Sequence, residues 1–370
     1  MSDKTPAVRI ALSISTRTGR PAMENPAYRG AEIAIDTLKS DPGFPFAIDW
    51  QIFDDFGDPE KTKSLARESV ADPTFIGVVG PMGSSEALAN APIFDQAGIV
   101  QVSPCASHPS LCQKGYKTFF RLVANEDVQG RELARMAHGY LKARCLAVVQ
   151  ADDAWATTVS DIFIREYVKL GGKVVERQRT ASRVLEDPTN LIAAVLKASP
   201  ELVFFAVHPL EGPPISKGLR EAGLHVPFLG TDAMKTSFPL GGGEAGAAVY
   251  HTHTGADFRR LPSAAAFREA YIARFPADST YSPEAYDAIM IIAQAVARAA
   301  RAIRGGVPDR ASVLQQVRSL RGFEGVTGPV SFDPTGERIG APVSLYRVQK
   351  TGEGLEMRYL GITSDLLPPG

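Results

Sequence analysis

Two short polar stretches carry the side chains best suited to chemistry in this chain. Gly83-Ser84-Ser85 follows an apolar run over residues 75–79 and the turn Gly80-Pro81-Met82. Cys105-Ala106-Ser107 follows a second apolar run over 99–102 and Ser103-Pro104. Between them the pattern predicts a helix over 86–96, bent at Pro92, which cannot donate an i→i−4 hydrogen bond, and stopped by Gly98. Strand, helix and strand at this spacing form a parallel unit, so both strands end on one sheet edge. Open α/β sheets bind ligands at that edge. Serine hydroxyls beside the unpaired N–H groups of a helix start make a site for a small anion such as a carboxylate. Such serines are also ordinary helix caps; the neighbouring Ser107 loop favours a ligand. Later in the chain Asp232, after Gly230-Thr231, stands at the C-terminal end of another expected strand. It reads either as a helix cap or as a carboxylate for a cation. A zwitterion needs both kinds of group.

The elements that position these residues alternate regularly. A strand over 8–14 precedes a helix over 26–39, marked by Tyr28, Ala31, Ile35 and Leu38 at helical spacing. A strand over 48–53 precedes a helix to about residue 70, opened by Asp58-Pro59 as N-cap and N1. A short apolar run over 118–123 leaves the first domain, and a helix is expected over 126–140. The alternation then restarts, with strands over 145–150, 173–178, 202–207 and 227–230 and helices over 157–170, 188–198 and 212–222. A strand over 247–253 heads away from this domain, and helices follow over 267–275, 286–302 and 311–320. The helix over 286–302 is apolar on almost every side, as a deeply packed helix would be. Final strands are expected near 326–333 and over 344–348. The fold class read from this order is α/β: two Rossmann-like lobes with a cleft between them. The late helices return to the first lobe, so the chain crosses three times, near Val123, His253 and Phe332. Lobe 1 is then 1–123 plus 254–332, and lobe 2 is 124–253 plus 333–370.

Composition narrows the function. A chain of 370 residues is too long for one ordinary domain. Net charge is −1 with no basic stripe, which argues against nucleic acid as a partner. No apolar run approaches the roughly 20 residues of a membrane span. The start, MSDKTPAVRI, lacks a basic n-region and an apolar h-region. That fits a cytoplasmic protein or one whose signal peptide has been replaced by an initiator methionine. Three cysteines leave at least one thiol unbridged; Cys105 and Cys112 could pair, or all could be small buried thiols. No CxxC or His/Cys cluster suggests a metal, and His251 and His253 read as structural. There is no GxGxxG after the first strand and no GxSxG, so no cofactor and no catalytic residues are expected. Gly241-Gly242-Gly243 reads as a turn rather than a phosphate loop.

A set of marks in order resembles one family. They are Val8-Arg9-Ile10-Ala11, Asp54-Asp55 with Asp58-Pro59, Gly80 with Ser84-Ser85, and Ser103-Pro104 with Ser107 and Pro109. Further on come Gly115-Tyr116, Phe120-Arg121, Gln129-Gly130, Phe228-Leu229-Gly230, the run Ser282 to Ala288, and the run Thr327 to Asp333. The chain resembles the type I periplasmic substrate-binding proteins of ABC importers, leucine/isoleucine/valine-binding group. The resemblance covers nearly the whole chain. It implies two lobes joined by a three-stranded hinge, closing on a small amino acid that an ABC permease in the membrane then takes. It also implies a periplasmic monomer. By this resemblance Ser84, with Ser85 beside it, holds the ligand carboxylate. The Cys105 carbonyl accepts from the ammonium, and Ser107, next to Ala106, touches both groups. Asp232 pairs with the ammonium from the second lobe, where some relatives have Glu. Trp155 stands where the family has a tyrosine that closes over the ligand, against the plain reading of a core tryptophan. His208 falls near a second tyrosine position, and Met23 lines the side-chain pocket. The loop over 17–25 departs most from the pattern. An alternative within the same fold is a cytoplasmic amino-acid or amide sensor with a regulatory partner.

Overall fold

Strands with apolar residues on both faces, separated by amphipathic helices, build two units. The computed structural model describes residues 6–16, 21–235, 248–275, 280–303, 307–351 and 354–367. Gly241-Gly242-Gly243 and residues 17–20 of the divergent loop lie outside them. In chain order come β1 (Ala7–Ile14), α1 (Pro26–Ser40), β2 (Ala47–Asp54), α2 (Pro59–Val70), β3 (Phe75–Val79), α3 (Ser84–Ala97), β4 (Val100–Ser103), α4 (Ser110–Gln113) and β5 (Phe119–Arg121). There follow α5 (Glu126–Arg135), β6 (Cys145–Ala151), α6 (Ala154–Lys169), β7 (Lys173–Thr180), α7 (Thr189–Ala198), β8 (Leu202–Ala206), α8 (Gly212–Glu221), β9 (Phe228–Gly230) and β10 (Val249–His253). The chain ends with α9 (Ala265–Arg274), α10 (Ser282–Ala302), α11 (Arg310–Arg318), β11 (Phe323–Gly325), β12 (Gly328–Val330), β13 (Ser344–Thr351), β14 (Gly354–Ile362) and α12 (Thr363–Leu366).

One unit comprises Met1–Val123 and Asp257–Ala341. Its sheet is parallel throughout, in the order β2-β1-β3-β4-β5. Helix starts follow local chemistry. Asn25 accepts from the Ala27 N–H, and Asp58 accepts from the N–H groups of Glu60 and Lys61, each with proline next in the chain. The helix α3 runs on through Pro92 and ends at Gly98, whose φ of 69° suits a left-handed C-cap. As its sequence requires, α10 is buried nearly all round: Ile289, Ile292 and Val296 pack with Ile10, Leu12 and Ile35. Gly30 of α1 permits the close approach, since a Cβ there would lie 1.9 Å from the carbonyl oxygen of Ser282.

The other unit comprises Ala124–Ala256 and Pro342–Gly370, with strand order β14-β13-β10-β9-β8-β6-β7. Alternate residues of β6 and β8 feed two cores. On one face Leu146, Val148 and Phe204 meet Phe163 and Tyr167 of α6; on the other Val149, Val203 and Phe205 meet Val195, Ile215 and Leu219. Phe163 and Phe204 stack with centroids 3.9 Å apart. Truncating either to alanine would cost about 3–5 kcal/mol.

Three sequence expectations need correction. The helix over 126–140 is α-helical only to Arg135, and Met136–Tyr140 form a π-helical turn. The strand after residue 247 does not head away: β10 lies parallel to β9, and β13 pairs antiparallel on its other side. The last passage between units falls after Ala341, not near Phe332, and the second falls after Ala256. The physical reason lies in residues 333–341, which are bonded into the first unit. Gly336 O accepts from the Arg121 N–H at 2.9 Å. Arg338 donates to Leu122 O at 3.2 Å and to Thr327 O at 2.9 Å.

Candidate ligand-binding site

In the first unit β3 and β4 run in register, with Val79 opposite Val102, and deliver the two serine loops to one edge. Gly80 turns the chain off β3 with φ of 102°, where a Cβ would sit 2.5 Å from Ser13 O; only glycine suits this position. The N-cap of α3 is Gly83, so Ser84 and Ser85 are its first helical residues rather than its cap. Buried Glu86 folds back on Gly83, where a Cβ would meet Oε2 at 1.9 Å. The Ser84 hydroxyl accepts from the backbone N–H groups of Ser107 and His108, both at 3.3 Å. With both lone pairs engaged, its proton is left to donate. Ser103 Oγ accepts from Ala106 N–H at 2.9 Å and more weakly from Cys105 N–H at 3.4 Å. Arg121, wholly buried, donates from Nη1 to the carbonyls of Ala106 (3.3 Å) and His108 (2.8 Å), and its guanidinium pairs with Glu337. The loop over 103–108 is therefore held by bonds to both its N–H and its carbonyl groups. Cys105 is half-buried and Ala106 and Ser107 are buried. All three cysteines are unbridged, which removes a Cys105–Cys112 disulfide. Met23 lies in a 3-10 turn, Ala22–Glu24, with 63% of its surface exposed.

The same edge carries Asp55, buried after β2. Its oxygens accept from Ser13 Oγ and the Gly57 N–H, each at 2.9 Å. Burial lifts its pKa to about 6, and the charge of Glu86 adds to that rise against the two hydrogen bonds.

In the second unit β6, β8 and β9 are neighbouring parallel strands. Their C-terminal ends deliver Trp155, His208 and Asp232. Asp232 is buried and opens a 3-10 turn, Asp232–Lys235. Its Oδ1 accepts from Gln129 Nε2 at 2.7 Å, and the same amide donates to Thr252 Oγ1 at 3.0 Å. A Cβ at Gly230 would strike Met234 Sδ at 1.5 Å, so Met234 folds under the strand against the bare backbone there. Trp155 is half-buried: it packs against the core of α5 and α6, and its ring lies 5.0 Å from that of His208 at 42°. His208 Nε2 contacts Asp153 Oδ2 closely.

Sequence reasoning missed Asp153 beside His208 and Gln129 beside Asp232 in the second unit, and Glu337 beside Arg121 in the first. Asp153 had a signal, an aspartate just before a helix, and it does cap α6 through the Ala156 N–H at 2.9 Å. Among the described residues no group of His, Cys, Asp and Glu is arranged to hold a metal, and no helix is long and apolar enough to cross a membrane.

Comparison with known proteins gives consistent results. The periplasmic binding protein family model matches residues 7–353. An amino acid binding protein of Pseudomonas aeruginosa is 27% identical over 331 residues, covering 88% of this chain and 86% of that protein. The leucine-, isoleucine-, valine-, threonine- and alanine-binding protein of the same organism is 25% identical over 355 residues, covering 95% and 92%. A leucine binding protein from Thermotoga maritima superposes with a TM-score of 0.84 at 23% identity, covering 97% of this chain and all of that one, which speaks for the fold.

Proposed function

The chain belongs to the periplasmic binding protein family, and from that premise we propose that it is the solute-binding component of an ABC importer. In this reading it works in the periplasm without catalysis. It captures a small amino acid, branched-chain, otherwise apolar or aromatic, and hands it to a membrane permease. The names of the two Pseudomonas relatives support an amino-acid ligand. The observation that carries the reading is the Ser84 hydroxyl, engaged as acceptor by the Ser107 and His108 N–H groups at the start of α3. Such a hydroxyl, beside unpaired helix N–H groups, donates to a carboxylate. Asp232 is the proposed partner of the ammonium, with the Cys105 carbonyl and Ser107 as further contacts. Ser85 and Ala106 flank the carboxylate, while Trp155, His208 and Met23 meet the side chain. Charge-assisted hydrogen bonds contribute roughly 1.5–3 kcal/mol each, so three or four would hold a ligand near micromolar.

Native mass spectrometry of the purified protein, followed by calorimetry against the amino acids and against benzoate and isovalerate, tests this. An α-amino acid should bind and its amine-free analogue should not. Tight binding of the carboxylates alone would remove Asp232 from the site and the amino-acid reading with it.

A further inference from the structure

The group touching His208 is a carboxylate whose other bonds are all accounted for. Asp153 Oδ1 accepts from the Ala156 N–H at 2.9 Å, and Oδ2 accepts from Ser182 Oγ at 2.7 Å as well as meeting His208 Nε2. Burial alone would raise the Asp153 pKa, but His208, Ala156 and Ser182 together hold it well below the usual carboxylate range. An ionised carboxylate only accepts, so Nε2 carries the hydrogen. Nδ1, the ring's other nitrogen, is then the polar atom left to meet a ligand. The backbone N–H of His208 donates to Glu211 Oε1 at 2.9 Å, and Trp155 covers the ring at 5.0 Å. The imidazole is thus fixed by its edge, its backbone and its face. Nδ1 has no hydrogen-bond partner among the described residues and stays open to solvent. It lies at the strand ends that also deliver Trp155 and Asp232.

We propose that His208 reads the far end of the ligand side chain through Nδ1, and that the ligand carries a neutral hydrogen-bonding group there, a hydroxyl or an amide. The inference rests on the amino-acid reading above and narrows its substrate class. A hydrocarbon set against Nδ1 strips its water and returns nothing, whereas a hydroxyl or an amide replaces the lost bond. Asp153 acts through His208 and is a positioning residue; Glu211 is the other charged group bonded to it.

Calorimetry with near-isosteric pairs isolates the effect: L-threonine with L-valine, L-glutamine with L-methionine, L-tyrosine with L-phenylalanine. In the wild-type protein the polar member of at least one pair should bind about five- to tenfold more tightly. His208→Phe should bring that ratio near one. Asp153→Asn retains a capping side chain and loosens the hold on the ring, so it should lower the ratio too. As a readout independent of any variant, the imidazole ¹⁵N spectrum should show a hydrogen on Nε2 and an Nδ1 resonance that moves on adding the preferred ligand. Equal affinities within every pair, with binding measurable, would overturn this inference and leave the amino-acid reading standing. Binding of no amino acid would overturn both.

Discussion

The buried guanidinium of Arg121 lies fork to fork on the carboxylate of Glu337, and the same arginine grips the carbonyls of Ala106 and His108. One ion pair therefore fixes the loop that presents Ser107. Removing one partner of such a pair strands the other charge, at a cost of about 3–5 kcal/mol. We expect Glu337→Ala to lose stability on that scale in urea unfolding and to weaken ligand binding. A loss under about 1 kcal/mol would mean that water replaces Glu337 and that the loop does not depend on it.

Ser84→Ala deletes the acceptor for two backbone N–H groups and the proposed donor to the ligand. The unfolding free energy should fall by about 1–3 kcal/mol, and amino-acid affinity by about ten- to a hundredfold. Affinity within twofold of wild type would show that the anion is held without this hydroxyl.

Asp232→Asn preserves shape and removes charge. Gln129 donates to Oδ1, and the asparagine carbonyl can still accept that bond. We expect thermal unfolding to change little while the amino-acid Kd rises at least about thirtyfold, the lower end for a buried charge pair losing one partner. If the two properties fall together, Asp232 is a structural residue.

Acid carboxyls lifted by burial give stability a distinctive pH slope. Asp55 and Asp287 are each pushed up to about 6, chiefly by burial, the latter despite bonds from Val326 and Thr327. Both bind protons more tightly folded than unfolded. Their contribution is therefore fully present below about pH 4 and lost as pH rises through 6, about 3 kcal/mol each. Asp55→Asn should flatten the wild-type decline between pH 4 and 7 in paired urea titrations. An unchanged slope would show that Asp55 ionises normally.

The thiols offer a direct probe of the loop. Burial drives Cys112 up to about 12, while Cys105 and Cys145 are half-buried. Maleimide at pH 8 should modify Cys105 and Cys145 before Cys112, and a bound amino acid should slow the reaction at Cys105 alone. Equal protection of Cys145 would point to a global effect.

Much of the fold was legible because its signals are local. The apolar run over 75–79 is β3 to the residue, and Asp58-Pro59 starts α2 as N-cap and N1. The parallel pairing of the strands follows from their alternation with helices. Other features had no local signal. Arg121 and Glu337 are far apart in sequence, and neither residue type announces the other. β14 was missed because 354–362 mixes charged and apolar residues and gains its identity from pairing with β13. In the site, the serine loops were readable from strand and helix boundaries. The hold of Asp153 on His208 was not, because it joins the ends of two strands that sequence alone does not set side by side.

The interleaving of the two units also sets a timetable for synthesis. The strands β1 to β5 are complete at Arg121, yet α10, whose Ile289, Ile292 and Val296 fill their core, begins only at Ser282. At ~5–20 residues per second the nascent sheet waits roughly 10–30 s for that helix, with apolar faces uncovered. The second unit waits as well, since β13 must arrive to cover the open edge of β10. The first unit can finish only at residue 341 and the second only after it, so a chain cut short there holds one whole unit and a second sheet that lacks β13 and β14.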